Sequence, residues 1–443
     1  MVDTDLQAYL RTLERFGIKL GLEPMRALCA ALGHPEREFR SVVIAGTNGK
    51  GSVAAMTEAG LRAGGHRTGR YTSPHLVRLE ERIAIDGEPI TFDELHSAVL
   101  AVRTVVDRLC REHRLDASPT FFEVTTAAAF VAFSRARVDV AVLEVGLGGR
   151  FDATNVTTPV GVAITSIDLD HEAQLGRTIR GIALEKAGII GRGSVAVVGD
   201  ARRDVQELLA DSCRRAGARY VDATQGVVLD VRCTSDATIV SLETPVRRYE
   251  EIRLALQGRH QARNALTAVR LLEGLAGQGL EAGAAAIASG LREAVWPGRL
   301  QWITLPAGRL LLDAAHNPAA AEAVAEYLAE THPSPIPLVL AAMRDKDVDG
   351  ILGALLPQAS LVVCTKLTSE RALPASALAD RVRARAPKTS VVIELEPSAA
   401  VHRALAHGDV ACATGSIVLA GELLRTMPPS TDMTSASMSP HAG

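Results

Sequence analysis

The sequence predicts an α/β protein, with a P-loop-containing parallel sheet in its N-terminal part and a smaller open α/β domain behind it. Three observations predict this. The apolar run Val42-Val43-Ile44-Ala45 enters the glycine-rich turn Gly46-Thr47-Asn48-Gly49-Lys50-Gly51-Ser52, and helical spacing follows from Ser52 to Ala63. Apolar strands then alternate with helices, as parallel βαβ units require. Finally, Trp296-Pro297-Gly298-Arg299 breaks a helical run, and a second strand–helix alternation starts after it. The expected domains are 1–295 and 296–427, with a tail at 428–443.

Taken in order, residues 3–16 and 23–33 read as helices joined by Gly17-Ile18-Lys19-Leu20-Gly21-Leu22. The glycine turn comes next, and its parts agree on one use. Glycines let backbone N–H groups converge on an anion, the helix N-terminus adds partial positive charge, and Lys50 adds a full one. The spacing departs from G-x-x-x-x-G-K-[ST], because Gly51 stands between Lys50 and Ser52. Residues 67–78 read as a polar loop, followed by a short strand at 82–85 and a turn at Asp86-Gly87-Glu88-Pro89. Thr91, with Glu94 three positions on, caps a helix to about Arg114. Ser118 to Glu123 opens a very apolar helix to about Arg135. Strands follow at 138–145 and 160–167, a helix at 179–189, and a strand at 194–198. Short alternating segments from 227 to 256 suggest antiparallel hairpins at one edge, and 261–275 and 282–293 return to helix. Beyond the break, strands are expected at 310–312, 338–341, 361–364, 390–393 and 410–413, separated by helices. The tail from Pro428 is rich in Ser, Pro and Met and is expected to be disordered.

Composition narrows the function classes. Only 3% of the 443 residues are aromatic against 47% hydrophobic, so the core must be aliphatic. The 48 basic and 51 acidic residues leave a net charge of −3, which gives no argument for nucleic acid or an anionic membrane as partner. Six dispersed cysteines without a C-x-x-C pair argue against a disulfide framework or structural zinc, and suit a reducing cytoplasm. No run approaches the ~20 apolar residues of a membrane span, and the N-terminus lacks a signal-type apolar stretch. The reading is a cytoplasmic protein.

In an open parallel sheet ligands gather at the carboxyl ends of strands, so polar residues ending apolar strands carry the chemistry. Glu144 ends one such strand, and Asp168, Asp170 and His171 follow another. A carboxylate there suits Mg²⁺, which takes oxygen ligands from one or two acids plus substrate phosphates. The alternative is a capping or salt-bridged acid. A lone histidine is more often structural, so His171 adds little by itself. Lys186, in ALEKAGII, reads as a surface lysine snorkelling off an apolar helix. Asp313-Ala314-Ala315-His316-Asn317-Pro318 ends the first strand of the second domain, with Asn317 placed to cap the helix that Pro318 opens. No G-x-S-x-G or H-E-x-x-H is present, and G-L-G-G at 146–149 is too short to indicate a dinucleotide.

Ten ordered motifs carry a resemblance: AGTNGKGS (45–52), YTSPHL (71–76), FFE (121–123), EVGLGGRFDATN (144–155), DLDH (168–171), EKAGI (185–189), GRHQARNA (258–265), WPGRL (296–300), LLDAAHNP (311–318) and ATGS (413–416). Together they resemble the bifunctional folylpolyglutamate synthase/dihydrofolate synthase family of the Mur ligase superfamily, over about Leu10 to Leu424. The resemblance implies an ATP-binding N-terminal domain, a smaller Rossmann-like C-terminal domain, and an active site in the cleft between them. It implies phosphorylation of a pteroate or folate carboxylate by ATP, then attack of L-glutamate on the acyl phosphate.

Carried over by position, Thr47, Asn48, Gly49, Lys50, Gly51 and Ser52 would bind ATP, with Asn264, Arg299 and Asp313. Ser73, Glu144 and His171 would ligate Mg²⁺, K⁺ being a second candidate ion, and Lys186 would be N6-carboxylysine. Both implications run against the residue-level readings of His171 and Lys186. Lys19, Leu20, Gly21 and Leu22, Thr120, Phe121, Phe122 and Glu123, and Phe151, Asp152 and Ala153 would line the pteroate pocket. His316 and Ser416 would serve glutamate, and Lys50, Lys186, His171 and His316 would be the catalytic set. The implied partners are small molecules (dihydropteroate, tetrahydrofolate, L-glutamate and ATP) acting on a monomer. Two departures stand out: Ala314 replaces a frequent glycine, and Lys19 replaces an acid frequent in bacterial bifunctional members. A synthase acting on folates alone, a Mur-type ligase for another acid, and a nucleotide switch without catalysis are the alternatives.

Overall fold

Strand β1 (Arg40–Ala45), which feeds the glycine turn, lies inside an eight-stranded sheet in the computed structural model, which describes residues 2–14, 21–115 and 118–427. Its companions are β2 (Thr68–Tyr71), β3 (Ile83–Ile85), β4 (Glu88–Pro89), β5 (Val140–Glu144), β6 (Pro159–Ile164), β7 (Val195–Val198) and β8 (Arg219–Asp222). The order is β4-β3-β2-β5-β1-β6-β7-β8, parallel throughout except for β3 and β4. Helices cover the sheet, so Val42 to Ala45 are fully buried and the run is apolar on both faces. Glu144 stands opposite Ile44 and Ile164 opposite Ala45. The strands carrying the candidate polar ends therefore flank the phosphate-loop strand, as anticipated.

Three parts of this region differ from expectation. Residues 68–71, read as loop, form β2, whose four residues are all buried. Its polar side chains are satisfied inside the fold: Thr68 Oγ1 donates to Glu58 at 2.6 Å, and Arg70 pairs with Glu58 at 3.5 Å. A helix at Arg203–Ala216 and strand β8 fill a stretch that had no assignment. Strands β9 (Val228–Cys233), β10 (Thr238–Glu243) and β11 (Arg248–Leu254) form a separate three-stranded sheet, because β8 already occupies the edge after β7. Strand β10 alternates buried and half-buried residues and packs on the helix Arg259–Ala276.

The foreseen capping box is present, and a second, unforeseen one accompanies it. Thr91 and Glu94 cap Phe92–Arg111, and Thr120 and Glu123 cap Phe121–Ala136. The second box is buried. Thr120 donates from both N and Oγ1 to Glu123 Oε2 (2.7 and 2.8 Å), and Glu123 N donates back to Thr120 Oγ1 at 3.2 Å. Glu123→Ala should therefore destabilise the protein by about 1–2 kcal/mol, read as a lower urea midpoint with the slope unchanged. An unchanged midpoint would refute a structural role.

The chain divides into two compact units. The first runs to Trp296, and the second starts at Pro297 and takes in the short pieces Cys233–Asp236 and Leu256–Gly258. The second unit holds β12 (Gln301–Leu305), β13 (Gly308–Leu312), β14 (Ile336–Leu340), β15 (Ala359–Cys364), β16 (Ser390–Ile393) and β17 (Val410–Thr414). Their order is β12-β13-β17-β14-β15-β16, with only β12 antiparallel. Five of these strands fall where the pattern put them; β12, partly exposed, is an unforeseen edge. Asn317 caps Pro318–Thr331 by accepting from Ala320 N at 2.9 Å. No described helix is long and apolar enough to cross a membrane. Lys19, Leu20, the end of the first expected helix and the tail from Pro428 lie outside the described residues.

Candidate functional site

The turn after β1 is shaped by what packs against it. Gly46 (φ +153°) and Gly49 (φ +83°) take backbone angles closed to most side chains. A Cβ on Gly46 would lie 1.8 Å from Thr165 Oγ1, and one on Gly49 would lie 2.4 Å from Asn264 Oδ1. Asn264 is thus seated over the loop, within the same unit. The loop is pinned to the turn after β6. Thr47 N donates to Ser166 O (2.7 Å), Asp168 N to Thr47 Oγ1 (2.9 Å), and Thr165 Oγ1 to Asn48 O (2.6 Å). The helix Lys50–Ala63 begins without a side-chain cap, so its first amides face outward for an anion. Ser52 Oγ is buried without a hydrogen-bond partner, and Lys50 Nζ donates to Thr47 O at 3.1 Å. An orphan hydroxyl, uncapped amides and an ammonium form a donor set that fits a polyphosphate.

Lys186 does not snorkel. Its side chain is buried, 4% exposed, and Nζ donates to Gly46 O at 2.7 Å. The helix Ile179–Ala187 delivers it there because the 146–155 loop closes onto that helix. A Cβ on Gly149 would lie 2.8 Å from Glu185 O, Arg150 N donates to Glu185 O (2.9 Å), and Asn155 Nδ2 donates to Gly188 O (3.1 Å). Burial, with the charge of Lys50 second, lowers the Lys186 amine to about 7, against the opposing pull of Asp170, Asp152 and Asp168. The surface reading failed because an apolar helix bearing one lysine looks the same whether that lysine faces water or a backbone carbonyl.

Of the candidate metal ligands, the structure brings two together: Ser73 N donates to Glu144 Oε2 at 3.1 Å, and Glu144 is only 4% exposed. His171 (φ +52°) sits exposed in the turn after β6, at the same sheet end. Among the described residues no three His, Cys, Asp or Glu side chains cluster as a metal cage. A hydroxyl, a carboxylate and one imidazole, completed by phosphate oxygens, fit a hard divalent cation bound mainly through its nucleotide.

The elements that carry or follow the segments the resemblance assigns to the acceptor pack together in the first unit. The helix Glu23–Ala31, which follows Gly21 and Leu22, packs on Phe121–Ala136 and on the short 3₁₀ turn Ala153–Val156. Their side chains divide into two groups. Thr120 and Glu123 are spent on their capping box. Asp152 is buried and accepts from Gly146 N, Leu147 N, Thr154 N and Thr154 Oγ1 at 2.6–3.0 Å, so it braces the loop. Ala153 is buried too. Phe122 packs on Gly146, where a Cβ would lie 2.5 Å from its ring. Phe121 lies under the Arg82 guanidinium (5.1 Å), and Phe151 is 42% exposed beside a cavity of about 270 Å³ that Leu175 and Glu185 also line.

In the second unit, Asp313 is buried and each of its oxygens takes a backbone amide, Leu300 N and Ala315 N, both at 2.8 Å. It holds the 298–300 turn that carries Arg299, whose charge opposes the upward push of burial on its carboxyl. Ser416 is a buried helix cap accepting from Val418 N (3.1 Å), so its hydroxyl supports the fold before any ligand. His316 is half-buried, and its Nδ1 donates to Ala314 O at 3.0 Å.

The sequence reading missed Thr165 and Ser166, which pin the loop, and Arg82 with its partner His75, whose Nδ1 accepts from Arg82 Nε at 3.0 Å. Burial and the Arg82 charge lower His75 to about 4, so it stays neutral. Thr165-Ser166 end an apolar strand, the same signal that singled out Glu144. Nothing in the local sequence announces Arg82. Thr365, a buried hydroxyl without a partner at the carboxyl end of β15, was also unmarked, while Thr414, its counterpart on β17, lies in the ATGS motif without having been given a role.

Two family models match the chain: the Mur ligase middle domain over residues 44–272, and the Mur ligase glutamate ligase domain over 298–417. The dihydrofolate synthase/folylpolyglutamate synthase of Mycobacterium tuberculosis is 40% identical over 433 residues, spanning 90% of this chain and 88% of its own. Among solved structures, the M. tuberculosis folylpolyglutamate synthase complexed with ADP has a TM-score of 0.90 at 36% identity, covering 97% of this chain and 99% of that one. The bifunctional folylpolyglutamate synthase/dihydrofolate synthase of Yersinia pestis, complexed with AMPPNP and a Mn ion, has a TM-score of 0.81 at 30% identity, covering 96% and 97%.

Proposed function

Because the chain belongs to the Mur ligase family, among the dihydrofolate synthase/folylpolyglutamate synthases, we propose that it joins L-glutamate to dihydropteroate, to the glutamate chain of tetrahydrofolate, or to both, using ATP. It does so as a cytoplasmic monomer. The observation that carries the reading is a phosphate loop with two lysines on it: Lys50 at the helix N-terminus, and buried Lys186 on the Gly46 carbonyl. Holding a nucleotide needs only the first. A second amine, buried beside the loop with its pKa lowered to about 7, is a group poised for chemistry.

A carboxylate is a poor electrophile, and its oxygen is a poor leaving group. The acceptor carboxylate oxygen attacks the γ-phosphorus of ATP, the bond to the bridging oxygen breaks, and ADP departs from an acyl phosphate. The glutamate amine attacks the acyl carbon, the new C–N bond forms, and the C–O bond to phosphate breaks. Phosphate leaves and one proton passes to solvent. In this chain the amides of Lys50 to Ser52, the Ser52 hydroxyl and Lys50 hold the donor phosphates in line. Asn264 lies over the loop on one side. Phe121 and Phe151 offer ring faces for the aromatic acceptor. Arg299, His316 and the capped strand ends of the second unit supply groups for nucleotide and glutamate.

Ser73, Glu144 and His171 would hold magnesium, which when bound screens the phosphates from one another and from the incoming carboxylate; potassium is an auxiliary candidate. Lys186 is read as N6-carboxylysine. Its neutral amine adds to carbon dioxide, one proton leaves, and a cation becomes an anion able to orient the metal side of the site.

The test is ADP release by the purified protein with ATP, Mg²⁺, L-glutamate and either dihydropteroate or tetrahydrofolate. Turnover with both acceptors is the expected result. Turnover with neither rejects the reading.

A further inference from the structure

The glycine inserted after Lys50 has a packing cause. A Cβ on Gly51 would lie 2.3 Å from Trp296 Cζ2 and 2.6 Å from Trp296 Nε1, so the indole rests on the backbone of the first helical turn. Trp296 is held from another side by Arg70, whose guanidinium carbon is 5.5 Å from the ring centroid. Arg70 is 7% exposed and pairs with Glu58, which belongs to the phosphate-loop helix itself. Its Nε has no hydrogen-bond partner, so the guanidinium is oriented by Glu58 and the ring. The segment leading to Trp296 is anchored on the same helix. A Cβ on Gly290 would lie 2.4 Å from Gly60 N, which makes the contact of Ala284–Glu293 with Lys50–Ala63 backbone against backbone.

From this closed set of contacts we propose that Trp296 is a positioning residue for the nucleotide. Its indole sets the direction of the Lys50–Ser52 amides and reports their occupancy. The proposal rests on the nucleotide-binding reading above. The physical ground is twofold. An indole on the flank of the first turn keeps water off amides that face phosphate, and charge interactions strengthen as the surroundings become less polar. The same contact blocks the turn from relaxing, so the donors need no reorganisation when phosphate arrives. Trp296 is also the last residue of the first unit, with Pro297 and then Arg299 following it.

The chain has two tryptophans, and Trp302 lies in the second unit against Arg309 at 4.2 Å, so emission can be assigned by substitution. In Trp302→Phe, ADP titration should change Trp296 emission with the midpoint that calorimetry gives for the wild type. In Trp296→Phe the change should vanish. Trp296→Leu should raise KM for ATP and Kd for ADP about tenfold, leave KM for glutamate within about twofold, and be largely rescued by Trp296→Phe. Unchanged ATP parameters, or a uniform loss for all substrates with a lowered unfolding midpoint, overturn the proposal. If Trp296→Leu does not fold, the Trp302→Phe titration decides, and a silent Trp296 overturns the proposal. Failure of the wild type to bind ADP at all refutes the nucleotide reading instead.

Discussion

Lys186→Ala is expected to cut turnover at least about a thousandfold, near 4 kcal/mol of transition-state stabilisation, while ADP affinity stays within a few-fold. The amine is buried on the Gly46 carbonyl, and on the proposed reading the nucleotide is held by Lys50 and the helix amides, not by Lys186. Lys186→Arg should fail to restore activity, because a guanidinium keeps its charge and cannot add carbon dioxide. The pH dependence follows from the lowered pKa. Below about 7 the amine is an ammonium and inert to carbon dioxide; above it the free base predominates. Reactivation of carbonate-stripped protein by bicarbonate should therefore rise through pH 7. The stability sign is also set. The unfolded lysine titrates near 10.5, so between about 7 and 10.5 the unfolded chain binds the extra proton, and the unmodified protein gains stability as pH rises. More than about a tenth of wild-type turnover in Lys186→Ala, assayed in parallel, would remove this residue from the chemistry.

Asp152→Ala should cost about 3–5 kcal/mol of stability, because three buried amides and one hydroxyl lose their acceptor together. Burial raises its carboxyl pKa while those bonds lower it. Asp152→Asn keeps the volume and one acceptor oxygen, and should recover part of the loss. Chemical denaturation measures both variants. If Asp152 instead touched the acceptor, the folded variants would keep their stability and show a raised KM for dihydropteroate alone.

Much of the framework was legible because apolar strands declare themselves. The runs at 42–45, 140–144 and 159–164 needed no tertiary knowledge to be read as buried. Strand β2 was hidden because Thr68 and Arg70 meet Glu58 inside the fold, and sequence polarity reports exposure only when no internal partner exists. The phosphate loop was legible as a local pattern. The reason for Gly51 was not, since the indole that requires it comes from the far end of the unit. The resemblance marked Asp152, Glu123, Ser416 and Asp313 as members of motifs. It could not tell that their oxygens are taken by neighbouring backbone and hydroxyl donors, because a motif marks a position and not the direction in which its side chain is spent.

That division of labour between Phe151 and Asp152 bears on how the acceptor range can drift. The carboxylates and hydroxyls of Thr120–Glu123 and of the 146–155 loop bear the architecture, and altering them threatens the fold. Phe151, 42% exposed on the same loop, bears almost none of it, whereas Phe121 is half-buried against the core and under Arg82. Ring size or polarity at Phe151 can therefore vary with little penalty, so that, on the proposed function, a lineage could exchange one pterin acid for another while its scaffold stayed under strict selection.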